Sequence, residues 1–260
     1  MNFPLLLTAM EMAEELDIPS TFVETNCYWC TSDEVTRERL KLLRDKGLKG
    51  ILISVNPYYL EYVPFQRTER GIRVAQEIFG ENLMIYQWDY YVAFRKLGIK
   101  GKLSLEDYLN LVKDEDLAQR VEMFLMGRAA YRLKVFYPKY PPESFFHQPC
   151  QPPFLRNWHN HFDNYGNYLP GYCGGISLGN WQNLAELLED GVDLDEHPIA
   201  RFLIEQDFTG LWHFAKDFGY RELSQGYISK CHLCVDIRKH LVAREAFGEL
   251  SPREFYSFLE

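Results

Sequence analysis

The chain lacks an apolar run long enough to cross a bilayer as a helix. Its start, Met1 to Met10, is apolar but carries no basic n-region and no small-residue cleavage site, and it runs straight into Glu11, Glu14 and Glu15. That start reads as the first turns of an amphipathic helix, not as a secretory signal. Basic charge is not in excess: 28 Lys and Arg stand against 37 Asp and Glu, for a net charge of −9. The acidic balance disfavours broad binding to nucleic acid or to an anionic membrane. There is no internal repeat and no low-complexity tract. Cysteine is sparse, with six in 260 residues. With no export signal the expected location is the cytoplasm, where a disulfide framework is disfavoured and metal or redox use is the better reading.

What is present is a globular composition, 47% hydrophobic and 25% charged, long enough for one large domain or one medium domain with a small appendage. The first half alternates two kinds of segment. Helical spacing over 4–16, 33–46 and 67–79 is interleaved with short apolar or β-rich runs at 20–25, 50–55 and 82–88. Gly47 and Gly80 stand where two of the helices should stop, and Asn56-Pro57 bounds the central strand. Alternation of this kind predicts an α/β fold with a parallel sheet or barrel. After residue 100 the pattern changes. Residues 104–130 read as one or two helices, and Tyr137–Pro153 as a Pro-rich and aromatic linker, placing a domain boundary after residue 136. A β-hairpin is expected around Asp163-Asn164-Tyr165-Gly166 within 155–181. Helices are expected over 183–190, 198–217, 233–246 and 251–259.

Four cysteines of the second half carry the functional reading. Cys231-His232-Leu233-Cys234 is a CxxC ahead of a helix, where two thiolates can converge on one metal centre and the positive helix end favours the thiolate form. Cys150 and Cys173 lie in turn-rich stretches that can wrap a centre closely. Four thiolates at this spacing suit tetrahedral zinc or an iron–sulfur cluster, and spacing alone does not separate them. Buried free cysteine as a small hydrophobe is the ordinary alternative. A second CxxC, Cys27-Tyr28-Trp29-Cys30, follows a strand and reads as a ligand pair, a redox pair or packed side chains.

These residues resemble radical S-adenosylmethionine (SAM) enzymes with a C-terminal auxiliary-cluster extension of SPASM or twitch type. In the second half, Gly127-Arg128-Ala129, the hairpin Asp163-Asn164-Tyr165-Gly166-Asn167-Tyr168, the run Cys173-Gly174-Gly175-Ile176-Ser177-Leu178-Gly179-Asn180 and the late CxxC carry the resemblance. In the first half it rests on Met1–Leu6, on Phe22-Val23-Glu24-Thr25-Asn26-Cys27 and on Ile53-Ser54-Val55-Asn56. It implies a partial (β/α) barrel over 1–136 and an auxiliary-cluster domain over 137–260. It also implies an auxiliary [4Fe-4S] cluster on Cys150, Cys173, Cys231 and Cys234, with SAM as a cofactor of the intact enzyme. Glu24, Asn26, Ser54 and Asn56 would then touch SAM or substrate, whereas by local chemistry they are turn or cap residues. The substrate, whether peptide, protein or small molecule, is not specified, and an electron donor is a candidate partner.

Two departures matter. The CxxxCxxC that holds the SAM-cleaving cluster is absent, because Val23 stands four residues before Cys27. The GGEP-type strand is absent too, and both would precede Met1. No cysteine follows Cys234, and the interval from Gly166 to Cys173 is long, so one cluster is expected and not two. The chain alone is therefore expected not to cleave SAM. His159 and His161 share one strand face, as groups beside the cluster or the substrate or as an ordinary polar face, and His232, inside the CxxC, either replaces a cysteine ligand or, as expected, points away. The rival reading is a zinc-binding structural or interaction module on the same four cysteines.

Overall fold

The computed structural model describes residues 2–112, 125–135, 137–150, 154 and 160–259. Part of the expected 104–130 helical run (113–124), part of the Pro-rich segment (151–153) and the stretch 155–159 with His159 lie outside them. The chain divides into two compact units, Met1–Met123 and Phe124–Glu260. The division falls earlier than the expected boundary after residue 136. The Pro-rich segment belongs to the second unit because its backbone is paired there: Tyr140 and Tyr227 exchange hydrogen bonds of 2.8 and 2.9 Å. No helix among the described residues is long and apolar enough to cross a membrane.

The first unit opens with α1 (Phe3–Glu15). It continues through β1 (Phe22–Thr25), α2 (Asp33–Asp45), β2 (Gly50–Ser54), α3 (Pro57–Leu60), α4 (Phe65–Phe79), β3 (Leu83–Tyr86), α5 (Trp88–Lys96) and α6 (Leu105–Leu111). The three strands form one parallel sheet with β2 in the middle. The run Ile51-Leu52-Ile53 suits that central place, since its neighbours on both sides supply the backbone partners. Side chains alternate across the sheet. Val23, Ile51, Ile53, Leu83 and Ile85 face the core, together with Leu40 and Leu43 of α2 and Val74 and Ala75 of α4. On the opposite face Phe22 and Met84 remain 62% and 59% exposed. The sheet is three-stranded and open, and among the described residues no barrel is formed.

Local chemistry sets the helix limits. Ser32 Oγ accepts from the Val35 N–H (3.2 Å), Asp33 and Glu34 occupy the first turn of α2, and Arg44 its last, matching the helix field at both ends. α4 buries Phe65, Thr68, Gly71, Ile72, Val74, Ala75 and Phe79 along one stripe, the spacing of a helix lying on a sheet.

The second unit holds α7 (Arg128–Arg132), the hairpin β4 (Asn160–Phe162) and β5 (Tyr168–Pro170), and then α8 (Leu184–Asp190), α9 (Pro198–Ile204), α10 (Phe208–Asp217), α11 (Lys230–Val242) and α12 (Arg253–Ser257). The hairpin forms where expected. Asp163 Oδ1 accepts from the N–H groups of Tyr165 and Asn167, both at 2.9 Å, and Gly166 takes a φ of +83° that a side chain would strain. The single helix expected over 198–217 is two helices. Gln206 has a left-handed φ of +62°, and Asp207 caps a new start by accepting from the Gly210 N–H at 2.7 Å. α11 is buried nearly all round, with Leu233, Val235, Ile237 and Leu241 inside the core of this unit.

Candidate metal centre

Three separated segments bring the four second-half cysteines together. Cys150 ends the Pro-rich segment, where its N–H donates to Gln206 Oε1 at 2.9 Å. Cys173 follows β5 in a tight turn, its N–H donating to the Pro170 carbonyl at 3.1 Å. The chain beyond it folds back along β5, with Leu178 N–H to Tyr168 O and Tyr168 N–H to Gly179 O both at 2.9 Å. Cys231 and Cys234 sit in the first turn of α11. Ser229 starts that helix by accepting from the His232 N–H at 3.0 Å, so the helix begins earlier than the expected residue 233 and carries the CxxC itself. All four cysteines line one cavity of about 140 Å³. That is several times the ~30 Å³ share of a water molecule, and similar to a cavity of ~150 Å³ that admits benzene.

Two cations line the same cavity, Lys230 and Arg238, and both are buried. Lys230 donates from Nζ to the Gln148 carbonyl at 2.8 Å. Arg238 donates to the Gly174 carbonyl at 2.9 Å and to Tyr256 at 3.2 Å. Its Nε is buried with no hydrogen-bond partner. Among the described residues neither cation has a carboxylate within ion-pair distance. The buried Glu249 feels the Arg238 charge, but its oxygens accept from the N–H groups of Ile199 and Ala200 at 2.8 and 2.9 Å. A buried cation without a counter-charge is costly, so the site calls for negative charge on the sulfurs.

The thiols themselves resist ionising in isolation. Burial raises the pKa of Cys173 well above the ordinary thiol value. It raises that of Cys150, with the nearby Cys234 adding to the effect and Lys230 opposing it. Cys231 is pushed up to about 12 by burial and then by Cys234 and Cys150. Burial disfavours the Arg238 cation, but Tyr256, Cys234 and Cys173 outweigh this and hold its pKa above the usual arginine value. Thiols and cations of this kind are reconciled when a metal centre displaces the thiol protons.

The chain matches no family model, no curated protein and no solved structure.

Among the described residues, no group of three or more His, Cys, Asp or Glu side chains is placed to hold a metal ion. Four sulfurs on one zinc, at about 2.3 Å each, would lie within ~3.8 Å of one another. A polynuclear core would instead take one thiolate at each iron, and with four thiolates it would be a dianion.

The other expected residues are placed differently. Glu24 and Ser54 share the open face of the sheet and hydrogen-bond each other. Asn26 Oδ1 accepts from the Tyr28 N–H at 3.2 Å, and Asn56 caps α3 by accepting from the Tyr59 N–H at 3.0 Å. The cavity beside Ser54 and Asn56 is about 10 Å³, far less than a nucleoside needs. His161 lies exposed on β4. His232 is buried between the rings of Tyr131 and Tyr227, and its Nδ1 accepts from the Ile228 N–H at 3.3 Å. Burial lowers its pKa to about 4, so it is a neutral packed ring. Sequence reasoning missed Lys230 and Arg238. The available signal was helical spacing: 230, 231, 234 and 238 fall on one side of a helix.

Proposed function

We propose that the second unit holds one [4Fe-4S] cluster on Cys150, Cys173, Cys231 and Cys234, and that the protein is an auxiliary-cluster member of the radical SAM type. The observation that carries this is the joint lining of one cavity by four cysteines and by two buried cations that, among the described residues, have no carboxylate within ion-pair distance. When bound, such a cluster supplies one-electron chemistry or an iron site for a ligand. The chain's own residues do the rest. Gln206 and Lys230 hold the Cys150 loop, and the β5 turn holds Cys173. The first turn of α11 holds the CxxC, and Lys230 and Arg238 neutralise the thiolates. A SAM role for Glu24, Asn26, Ser54 and Asn56 is part of the same proposal. Its best-supported element is the Glu24–Ser54 pair on the open sheet face, because the two asparagines are committed to local backbone.

The test is metal and sulfide analysis with visible absorption on anaerobically purified chain, beside a Cys231→Ala/Cys234→Ala variant. About four irons and four sulfides per chain, with charge-transfer absorption lost in the variant, is the expected result. Stoichiometric zinc, or no metal, overturns it and favours a structural module. The chain alone is expected not to cleave SAM after reconstitution, since it holds no CxxxCxxC.

A further inference from the structure

The first unit contains a cysteine pair that the cluster reading leaves unused. Cys27 and Cys30 lie between β1 and α2, and both side chains are completely buried. They form a single turn, with the Cys30 N–H donating to the Cys27 carbonyl at 3.0 Å, and both sulfurs lie against Gly71 of α4. Cys27 takes a left-handed φ of +61°, a conformation that costs a non-glycine residue and persists only where its surroundings enforce it.

Those surroundings are specific. Thr25 Oγ1 accepts from the Cys27 N–H at 3.1 Å and from Trp29 Nε1 at 2.9 Å. From α4, Arg67 donates to the Tyr28 carbonyl at 2.6 Å, and Arg70 donates to the Cys30 and Thr31 carbonyls at 2.6 and 3.1 Å. Gly71 of α4 forms the floor. A Cβ there would stand 2.4 Å from Cys27 Sγ and 3.3 Å from Cys30 Sγ. The loop is thus pinned from both ends, with both sulfurs gathered against the same glycine.

We propose that Cys27 and Cys30 are a peroxide-oxidisable dithiol, with Cys30 as the attacking sulfur and Cys27 as the resolving one. The charge around the pair is asymmetric in that sense, because the Arg70 guanidinium is hydrogen-bonded at the Cys30 carbonyl. The Cys30 thiol is held below the ordinary value by the hydrogen bond from Cys27, against the effect of burial, with the Thr36 hydroxyl and then Arg70 and Arg39 assisting. The Cys27 thiol is raised by the same hydrogen bond and by burial. One sulfur as thiolate and its neighbour as proton donor is the arrangement a resolving pair needs.

The chemistry balances with peroxide as the oxidant. The Cys30 thiolate attacks one oxygen of hydrogen peroxide, an S–O bond forms as the O–O bond breaks, and the departing hydroxide combines with the proton Cys30 had released. The Cys27 sulfur then attacks the Cys30 sulfur, an S–S bond forms, and the sulfenic oxygen leaves as water with the Cys27 proton. Two thiols and one peroxide give one disulfide and two waters, with two electrons passing from sulfur to oxygen. Full burial makes the pair selective. A peroxide, close to water in size, reaches the sulfurs through local opening of the loop, whereas a bulky alkylating agent does not.

The experiment exposes the full chain to hydrogen peroxide, then denatures it in N-ethylmaleimide and maps peptide masses. The peptide carrying Cys27 and Cys30 should lose two hydrogens, regain them with dithiothreitol, and resist maleimide in the native protein. Cys27→Ser should leave a sulfenic acid on Cys30 that dimedone traps when the peroxide-treated chain is denatured in its presence, and Cys30→Ser should abolish reaction at Cys27. Circular dichroism on both variants confirms that they fold. If a variant does not fold, the wild-type mass loss and its reversal decide. A dithiol that survives peroxide in the folded chain, or a dimedone adduct on Cys27 in Cys30→Ser, overturns the proposal.

Discussion

The two CxxC motifs share a spacing and differ in nearly everything that spacing leaves open. Cys27 and Cys30 both lie against Gly71, with no room between them and α4. Cys231 and Cys234 point into a cavity of about 140 Å³ shared with Cys150 and Cys173. In the first motif arginines bind the loop carbonyls, and one of them adds to the pull on a single thiol. In the second, a buried lysine and a buried arginine line the same cavity as four sulfurs and, among the described residues, have no carboxylate within ion-pair distance. A closed pair suits two-electron exchange between its own sulfurs. An open set of four with counter-cations suits a shared inorganic centre. The environment, and not the motif, separates the two chemistries.

The largest expected effect on this contrast comes from Arg238→Met. The variant should retain iron about 10- to 100-fold less tightly, the range for an outer-shell partner of a metal ligand, measured as iron remaining after titration with a chelator. The metal-free variant should keep a melting temperature close to that of the metal-free parent, because removal of an uncompensated buried cation offsets the lost hydrogen bonds. Unchanged iron retention with a large loss of metal-free stability would make Arg238 a structural residue and remove the charge argument.

Gly71→Ala should act on the other motif alone. Its Cβ would press on Cys27, and overpacking of this kind costs about 1–3 kcal/mol. Denaturant unfolding of the first unit should shift accordingly, and the iron content of the second unit should not change. A loss of iron in Gly71→Ala would show that the two motifs are not independent.

The smallest effect is expected at the surface, from Asp33→Asn. Hydrogen bonding to Arg73 lowers the Asp33 pKa, with Arg70 assisting, so its contribution is present above the ordinary carboxylate range and is lost as pH falls through the lowered value. The pair is exposed and should fade in salt. Parent and variant should differ slightly at neutral pH and low ionic strength, and not at all in strong acid. A difference that persists in acid would assign the effect to the start of α2 instead of to the ion pairs.

Much of the scaffold was legible because its causes are local. Ser32 with Asp33 and Glu34 announces α2, and Ile51-Leu52-Ile53 between turns announces a buried parallel strand. Asp163 and Gly166 announce the hairpin by the turn chemistry they then perform. The break at Gln206–Asp207 was not legible. The apolar spacing continues across it, and a left-handed residue leaves no mark on hydrophobic pattern. The structure divides earlier than residue 136, and that was not legible, because Ala130 and Tyr131 join the second core through partners such as Asp236 far along the chain.

Composition and spacing by themselves determined that this chain alternates helices and parallel strands, carries an acidic balance, and places four cysteines where turns and a helix start can use them. Both kinds of statement depend on neighbours a few residues apart, which is the range over which propensity, capping and periodicity act. Only the tertiary structure decided that Cys150, Cys173, Cys231 and Cys234 line one cavity, that Lys230 and Arg238 are buried beside them, and that Gly71 closes the other pair. Burial, counter-charge and cavity volume arise from residues distant in sequence, so no local pattern encodes them.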